Sequence, residues 1–223
     1  MVEADDGRQV LQIRIDLGIL QMEIAGRPDG QRPRDRESWL EAHLEDLQKY
    51  RAAHGSVRGF VLSAEDCRLL HEEAAQYFHR YVAMFHMGHF DEVVRDASRN
   101  IECIKMCQQY GATEDDRLAL EGFRPQVITM RTRAQAELAV AASQPGSAVK
   151  LINQGLEELE DLLPPDHFDQ SNEVNLLRGM RDLLVPKLPA SQRAELEDRL
   201  QRALDTENYE LAAILRDELR QMP

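Results

Sequence analysis

Cys67 and His71 stand four residues apart, and Cys103 and Cys107 repeat that spacing further along the chain. Thiolate and imidazole are ligands that zinc accepts, and four of them drawn from two helices can close a tetrahedral site. If the helices flanking Gly88-His89 fold antiparallel about that turn, His71 faces Met106 and Cys103 faces Ala74. All four groups then lie at a similar height. A plainer reading competes: cysteine is a small core residue, and both pairs sit on helical faces that already carry apolar neighbours. Four-residue spacing is also less diagnostic than Cys-x-x-Cys knuckles. The cysteines are therefore assigned to the core, with a metal-binding helical protein kept as an alternative.

The other chemical residues form no catalytic pattern. His79, His86 and His89 cluster near the same turn, where polar side chains are simply solvated, and no nucleophile accompanies them. Glu-x-x-His pairs, His-Glu-x-x-His, a phosphate-cradling Gly-x-x-x-x-Gly-Lys-Ser/Thr and Gly-x-Gly-x-x-Gly are all missing from the sequence. The run Glu157, Glu158, Glu160, Asp161 reads as a solvated helix face, and Arg124, Arg131 and Arg133 as an ion-paired surface. No enzyme, no catalytic residue, no resident metal and no cofactor is expected.

Composition narrows the partners. The 223 residues carry a net charge of −13, which repels the phosphates of nucleic acid. No long segment is basic. Three cysteines, an odd number, argue against a disulfide framework and for a reducing compartment. Glu3, Asp5 and Asp6 stand where a signal peptide would be basic, and no stretch approaches the ~20 apolar residues of a membrane span. A cytoplasmic protein with no membrane and no nucleic-acid partner is expected.

The elements follow from hydrophobic period and punctuation. Aromatics are only 5% of a chain that is 43% hydrophobic, and Ala, Leu, Glu, Gln and Arg abound, which favours all-α. Val10, Ile13, Leu17, Leu20 and Ile24 recur at helical steps, with Leu11, Ile15, Ile19 and Met22 as a second stripe. A local alternation at Ile13–Leu17 permits a short strand, but the longer period predicts a buried helix. Gly26 to Pro33 is a loop. A second helix spans Glu37 to His54, with Leu40, Leu44, Leu47 and Tyr50 inward and Gly55 as its stop.

Ser63-x-x-Asp66 starts a helix running through Leu70, Ala74, Phe78, Tyr81 and Phe85 to Gly88, and Asp91 to Tyr110 follows. Met84-Phe85-His86-Met87-Gly88-His89-Phe90-Asp91 resembles the turn of a tetratricopeptide repeat, where a small residue lets two antiparallel helices approach and an aromatic plugs the gap. A second hairpin is predicted at Phe123–Ala142 and Ser147–Leu163, turning at Gln144-Pro145-Gly146. The two turn glycines lie much farther apart than the ~34-residue period of a true repeat, so the hairpins are repeat-like only. After Pro164-Pro165 a helix is expected at Asn172–Leu184. The predicted organisation is N-terminal helices and loop at 1–60, a repeat-like hairpin bundle or solenoid at 61–185, a proline-bracketed linker at 186–189 and a helical hairpin at 190–223.

That last hairpin reads Leu196-x-x-x-Leu200-x-x-Ala203-Leu204, a polar break at Asp205–Asn208, then Tyr209-Glu210-Leu211-Ala212-Ala213-Ile214-Leu215-Arg216-Asp217-Glu218-Leu219. It resembles the UVR motif, the interaction module of bacterial excision-repair subunits. Family members place an aromatic, two alanines and an Arg-Asp pair on the second helix, here Tyr209, Ala212-Ala213 and Arg216-Asp217. Asn208 or Thr206 can cap that helix. The resemblance implies binding of a protein partner or self-association, without catalysis. An accessory role in nucleotide excision repair is an alternative, although helicase motifs, nuclease domains and zinc-knuckle cysteines are missing from this sequence.

The residues also suggest why a partner helps. Tyr209, Ala212, Ala213 and Leu219 form a stripe suited to packing on Leu196, Leu200 and Leu204. Leu211, Leu215 and Met222 form a second stripe that a lone hairpin leaves in water, and covering it at ~25 cal/mol per Å² of apolar area stabilises a complex. A hairpin this small is below the size that holds itself together. The expected contact residues are Leu200, Leu204, Tyr209, Leu211, Ala212, Ala213, Leu215, Arg216, Asp217 and Leu219.

Overall fold

The structure, a computed structural model, describes residues 1–185, 190–205 and 208–220. The fold is all-α apart from a small N-terminal sheet. The chain divides into two compact units, Met1–Val127 and Ile128–Pro223. The expected linker at 186–189, and with it Thr206 and Met222, lies outside the described residues.

In the first unit the sequence signals for helix ends are realised as hydrogen bonds. Helix α1 (Trp39–His54) starts at Ser38, whose hydroxyl accepts from the Glu41 amide, and stops at Gly55 in the left-handed region at φ 73°. Helix α2 (Ala64–His86) opens with a reciprocal capping box between Ser63 and Asp66. Gly88, at φ 77°, turns the chain into α3 (Phe90–Tyr110). Phe90 packs edge-on against Phe85 at 5.3 Å, the aromatic plug expected at this turn. At the open end of the hairpin the Leu62 amide donates to the Tyr110 carbonyl and Ala112 returns a bond to Leu62. A further capping box, Thr113 with Asp116, starts the short α4 (Glu114–Leu118).

The predicted first helix is a correction. Residues 10–24 are not helical: β1 (Val2–Glu3), β2 (Gln9–Ile15) and β3 (Gly18–Glu23) form an antiparallel meander, with Val10 opposite Glu23 and Ile15 opposite Gly18. The segment is rich in β-branched residues, which suits strands. Its two-residue turn, Asp16-Leu17, has no glycine at either central position, so the strongest hairpin signal is missing. Apolar residues on both faces of a ribbon then imitate a helix buried on two sides. Only Val10, Leu11 and Met22 are buried, while Ile15, Leu17 and Ile19 at the tip are exposed.

What holds this ribbon to α2 and α3 is a buried charge network that sequence periodicity does not reveal. Arg80 and Asp96, both fully buried, form a two-pronged ion pair at 2.7 and 2.9 Å. The Arg80 guanidinium also donates to the carbonyls of Glu23 and Gly26, and Arg95 joins Asp96 to the Ile24 carbonyl. Glu73 accepts from the Trp39 and Leu40 amides at the start of α1 and faces Arg27 at 3.4 Å. Backbone carbonyls at and just after the end of β3, and amides in the first turn of α1, thus find charged partners from the helices.

Helix α5 (Arg124–Ala141) begins in the first unit and runs into the second, where it meets α6 (Pro145–Leu162) with Thr132 against Gly155; a Cβ on Gly155 would overlap the threonine side chain. Ser143, at φ 59°, makes the turn, and Pro145 occupies the first turn of α6. The turn expected at Gln144-Pro145-Gly146 thus lies slightly earlier, and Pro145 and Gly146 belong to α6. Short α7 (Pro165–Phe168) and then α8 (Asn172–Leu184) follow, and α8 packs on α6, with Val174, Leu177 and Leu184 buried. The last elements are α9 (Ala190–Asp205) and α10 (Tyr209–Arg220).

Candidate functional site

The α9–α10 hairpin is built as its punctuation implies. Asn208 caps α10, its side-chain oxygen accepting from the Leu211 amide at 3.1 Å, while its own amide donates back to the Ala203 carbonyl at 2.9 Å. The two helices pack along Leu196 and Ala203 on one side and Ala212 and Leu215 on the other, all buried, with Leu200 and Leu219 half-buried at the edges.

This seam corrects two expectations. Leu215 is only 2% exposed and belongs to the interior, whereas Tyr209 is 67% exposed and does not. The cause is helical geometry. Ala212, Leu215 and Leu219 advance by three and then four residues, which keeps a straight line on a 3.6-residue helix. Tyr209, Ala212 and Leu215 advance by three and three, so the line drifts and leaves Tyr209 outside. Ala213 is exposed as well.

The outward surface holds Leu211 at 37%, Ile214 at 47% and, at the end of α9, Leu204 at 44% exposure. Leu211 and Ile214 are three apart and neighbours on one flank. Arg216 and Asp217 are exposed as well, 3.3 Å apart, and Arg220 approaches Asp217 at 4.0 Å. Sequence reasoning missed Ile214 as an exposed apolar residue and Glu218 as a buried one. Their spacings from Leu211 and Leu215 were the available signals.

Glu218 is 4% exposed and faces Arg181 of α8 at 3.7 Å. Burial pushes its carboxyl above the ordinary range, against the opposing pull of Arg181 and Arg199. The contact ties α10 to α8 within the unit.

The other candidate constellation does not converge. His71 is exposed, while Cys67, Cys103 and Cys107 are buried, and the Cys67 and Cys107 thiols lie within hydrogen-bonding reach. Asn100 donates to the Ala74 carbonyl, so it is Asn100 rather than Cys103 that stands opposite Ala74. Among the described residues no three His, Cys, Asp or Glu side chains gather at metal-binding distance. Burial raises all three thiols, Cys107 to about 12, which keeps them protonated and unreactive. His79 bonds to the Ala75 carbonyl of its own helix and packs edge-on against Phe78. Arg124 and Arg131 are ion-paired with Glu121 and Glu158.

The hairpin thus pairs a buried seam with exposed apolar side chains at Leu204, Leu211 and Ile214 and exposed charges at Arg216 and Asp217. The UvrB/uvrC motif family matches residues 191–222, which span α9 and α10. The motif mediates protein–protein interaction. No curated protein and no solved structure matches the chain. No described helix is long and apolar enough to cross a membrane.

Proposed function

We propose that this chain is a non-enzymatic, cytoplasmic adaptor that docks a protein partner through the outer flank of its C-terminal hairpin. The observation that carries the proposal is the outward placement of Leu211 and Ile214 on a hairpin whose own core is already closed by Ala212 and Leu215. Those two side chains keep 37% and 47% of their surface exposed, and a partner that covers it gains apolar burial. The three free cysteines support a reducing compartment.

Affinity capture with the full chain tests this. Leu211→Asp combined with Ile214→Asp is expected to abolish capture of the partner while leaving helical content and melting temperature unchanged, because both residues are exposed. Leu215→Asp, by contrast, unfolds the hairpin and is unsuitable as a probe of docking. Unchanged capture by the double variant sinks the proposal. Sedimentation velocity of the purified protein separates self-association from binding of a different protein.

The family match favours one narrower reading, an accessory factor of nucleotide excision repair. It requires repair subunits among the captured proteins, lost in the same double variant. Their absence from the wild-type capture removes it.

A further inference from the structure

Strand β3 leaves one edge of the ribbon open, and its last residue shows which way that edge faces. The Glu23 amide donates to the Pro28 carbonyl at 2.8 Å, and the Glu23 carbonyl accepts from Arg80. Both groups therefore point away from β2, and Glu23 opposite Val10 is a non-hydrogen-bonded pair of the ladder. Alternation along the strand then turns the amides and carbonyls of Gln21 and Ile19 outward too, while Met22, Leu20 and Gly18 bond to β2. Those outward groups of Ile19 and Gln21 meet no protein partner among the described residues.

Such an edge accepts another strand, because an extended backbone presents donors and acceptors at the matching spacing. Charge or proline ordinarily blocks it. From Gly18 to Met22 β3 carries neither. The outer edge of β2 differs, since β1 pairs with its start and Arg14 charges its end.

Register identifies the occupant. In antiparallel pairing outward residues must meet outward residues, and Glu23 is already sealed by Pro28. One register engages both open positions without calling on Glu23 or the turn residue Leu17. It sets Ile19 of each copy opposite Gln21 of the other, with Leu20 facing its own twin on the two-fold axis. Within the ribbon Leu20 stands opposite Ile13, and both are half-buried, so the pairing continues one apolar row across both ribbons. The paired residues carry no charge, on a chain whose net charge of −13 otherwise keeps copies apart.

We infer that the protein self-associates through β3, which pairs antiparallel with β3 of a second copy to form one continuous sheet. The contact lies in the first unit and uses no residue of the α9–α10 hairpin, so neither proposal depends on the other.

Sedimentation velocity of the full-length protein over a concentration series is expected to show a weak, reversible dimer, as suits a contact of this size. Gln21→Pro removes an outward amide and leaves the β2–β3 bonds in place. It should raise the concentration of half-dimerisation at least about tenfold, because the symmetric contact loses that bond twice. If Gln21→Pro disturbs the ribbon, Ile19→Lys, which charges the exposed edge, should have the same effect in a folded protein. Register is read separately. Leu20→Cys, oxidised with added glutathione disulfide, should give a covalent dimer, because directly opposed residues of a non-hydrogen-bonded pair lie within disulfide reach. Leu17→Cys, fully exposed but away from the axis, should not. Leu211→Asp with Ile214→Asp should dimerise as the wild type does. A chain still monomeric at about 1 mM, or a dimer that both edge variants leave unchanged, overturns the inference. So does a covalent dimer formed as readily by Leu17→Cys as by Leu20→Cys. A dimer lost in the hairpin variant assigns self-association to the hairpin and overturns it as well.

Discussion

Single side chains decide more of this protein than its all-helical pattern suggests. Arg80 and Asp96 occupy positions that helical spacing assigns to the core, between Tyr77, Tyr81 and Met84 on α2 and among Val93, Ala97 and Asn100 on α3. Removing one member leaves the other charged and buried, which costs far more than the pair contributes. Asp96→Ala is expected to destabilise the protein by about 3–5 kcal/mol in urea unfolding, since Arg80 and Arg95 both lose their counter-charge. A loss below about 1 kcal/mol, the range of surface ion pairs, means the guanidinium is satisfied without Asp96. Glu218 behaves differently because its folded pKa is raised. The folded state keeps a proton there that the unfolded chain releases, so stability from this site is complete below the ordinary carboxylate value and declines as pH rises through that value to the raised one. Glu218→Gln, which cannot ionise, should stabilise the protein relative to wild type near neutrality. The advantage should shrink as pH falls towards about 4, near the ordinary carboxylate value, and a constant difference across that range removes Glu218 as its source.

Among the elements, the helices were legible because their signals are local. Ser63 with Asp66, Gly55 and Gly88 mark boundaries through bonds and backbone angles formed within a few residues. The Asn172–Leu184 helix has both the predicted limits. The β2–β3 ribbon was not legible, since its stability comes from carbonyls held by Arg80 and Arg95, dozens of residues away. Gly155 shows the same dependence on a distant partner. Alanine is the better helix former by about 1 kcal/mol, so the sequence alone favours Gly155→Ala. Contact with Thr132 reverses the sign, and a destabilisation of about 1–3 kcal/mol is expected from the overlap. Thermal unfolding of Gly155→Ala beside Gly155→Ala with Thr132→Ala checks this, because trimming the threonine should restore most of the loss.

Across the whole molecule the chain divides into two compact units: a ribbon clamped on a helical hairpin in one, and a helical stack bearing the UvrB/uvrC motif in the other. Asp96→Ala and Gly155→Ala sit in different units and share no partner. Their effects on stability should add to within about 0.3–0.5 kcal/mol. A larger discrepancy in the double variant would reveal energetic coupling between the units.

By itself the sequence determined the helical class, most helix limits and the presence of the C-terminal motif. All three depend on periodicity, caps and turns, whose interactions span a few residues. Tertiary structure alone decided which flank of the motif faces outward, which charges are buried and that residues 9–23 pair as strands. The docking residues show the limit most directly: Leu200, Leu204, Leu211 and Leu215 are chemically alike in sequence, yet Leu215 is interior and Leu211 is open. Chemistry named the set of candidates, but only a packing partner can divide a helix surface into an inside and an outside.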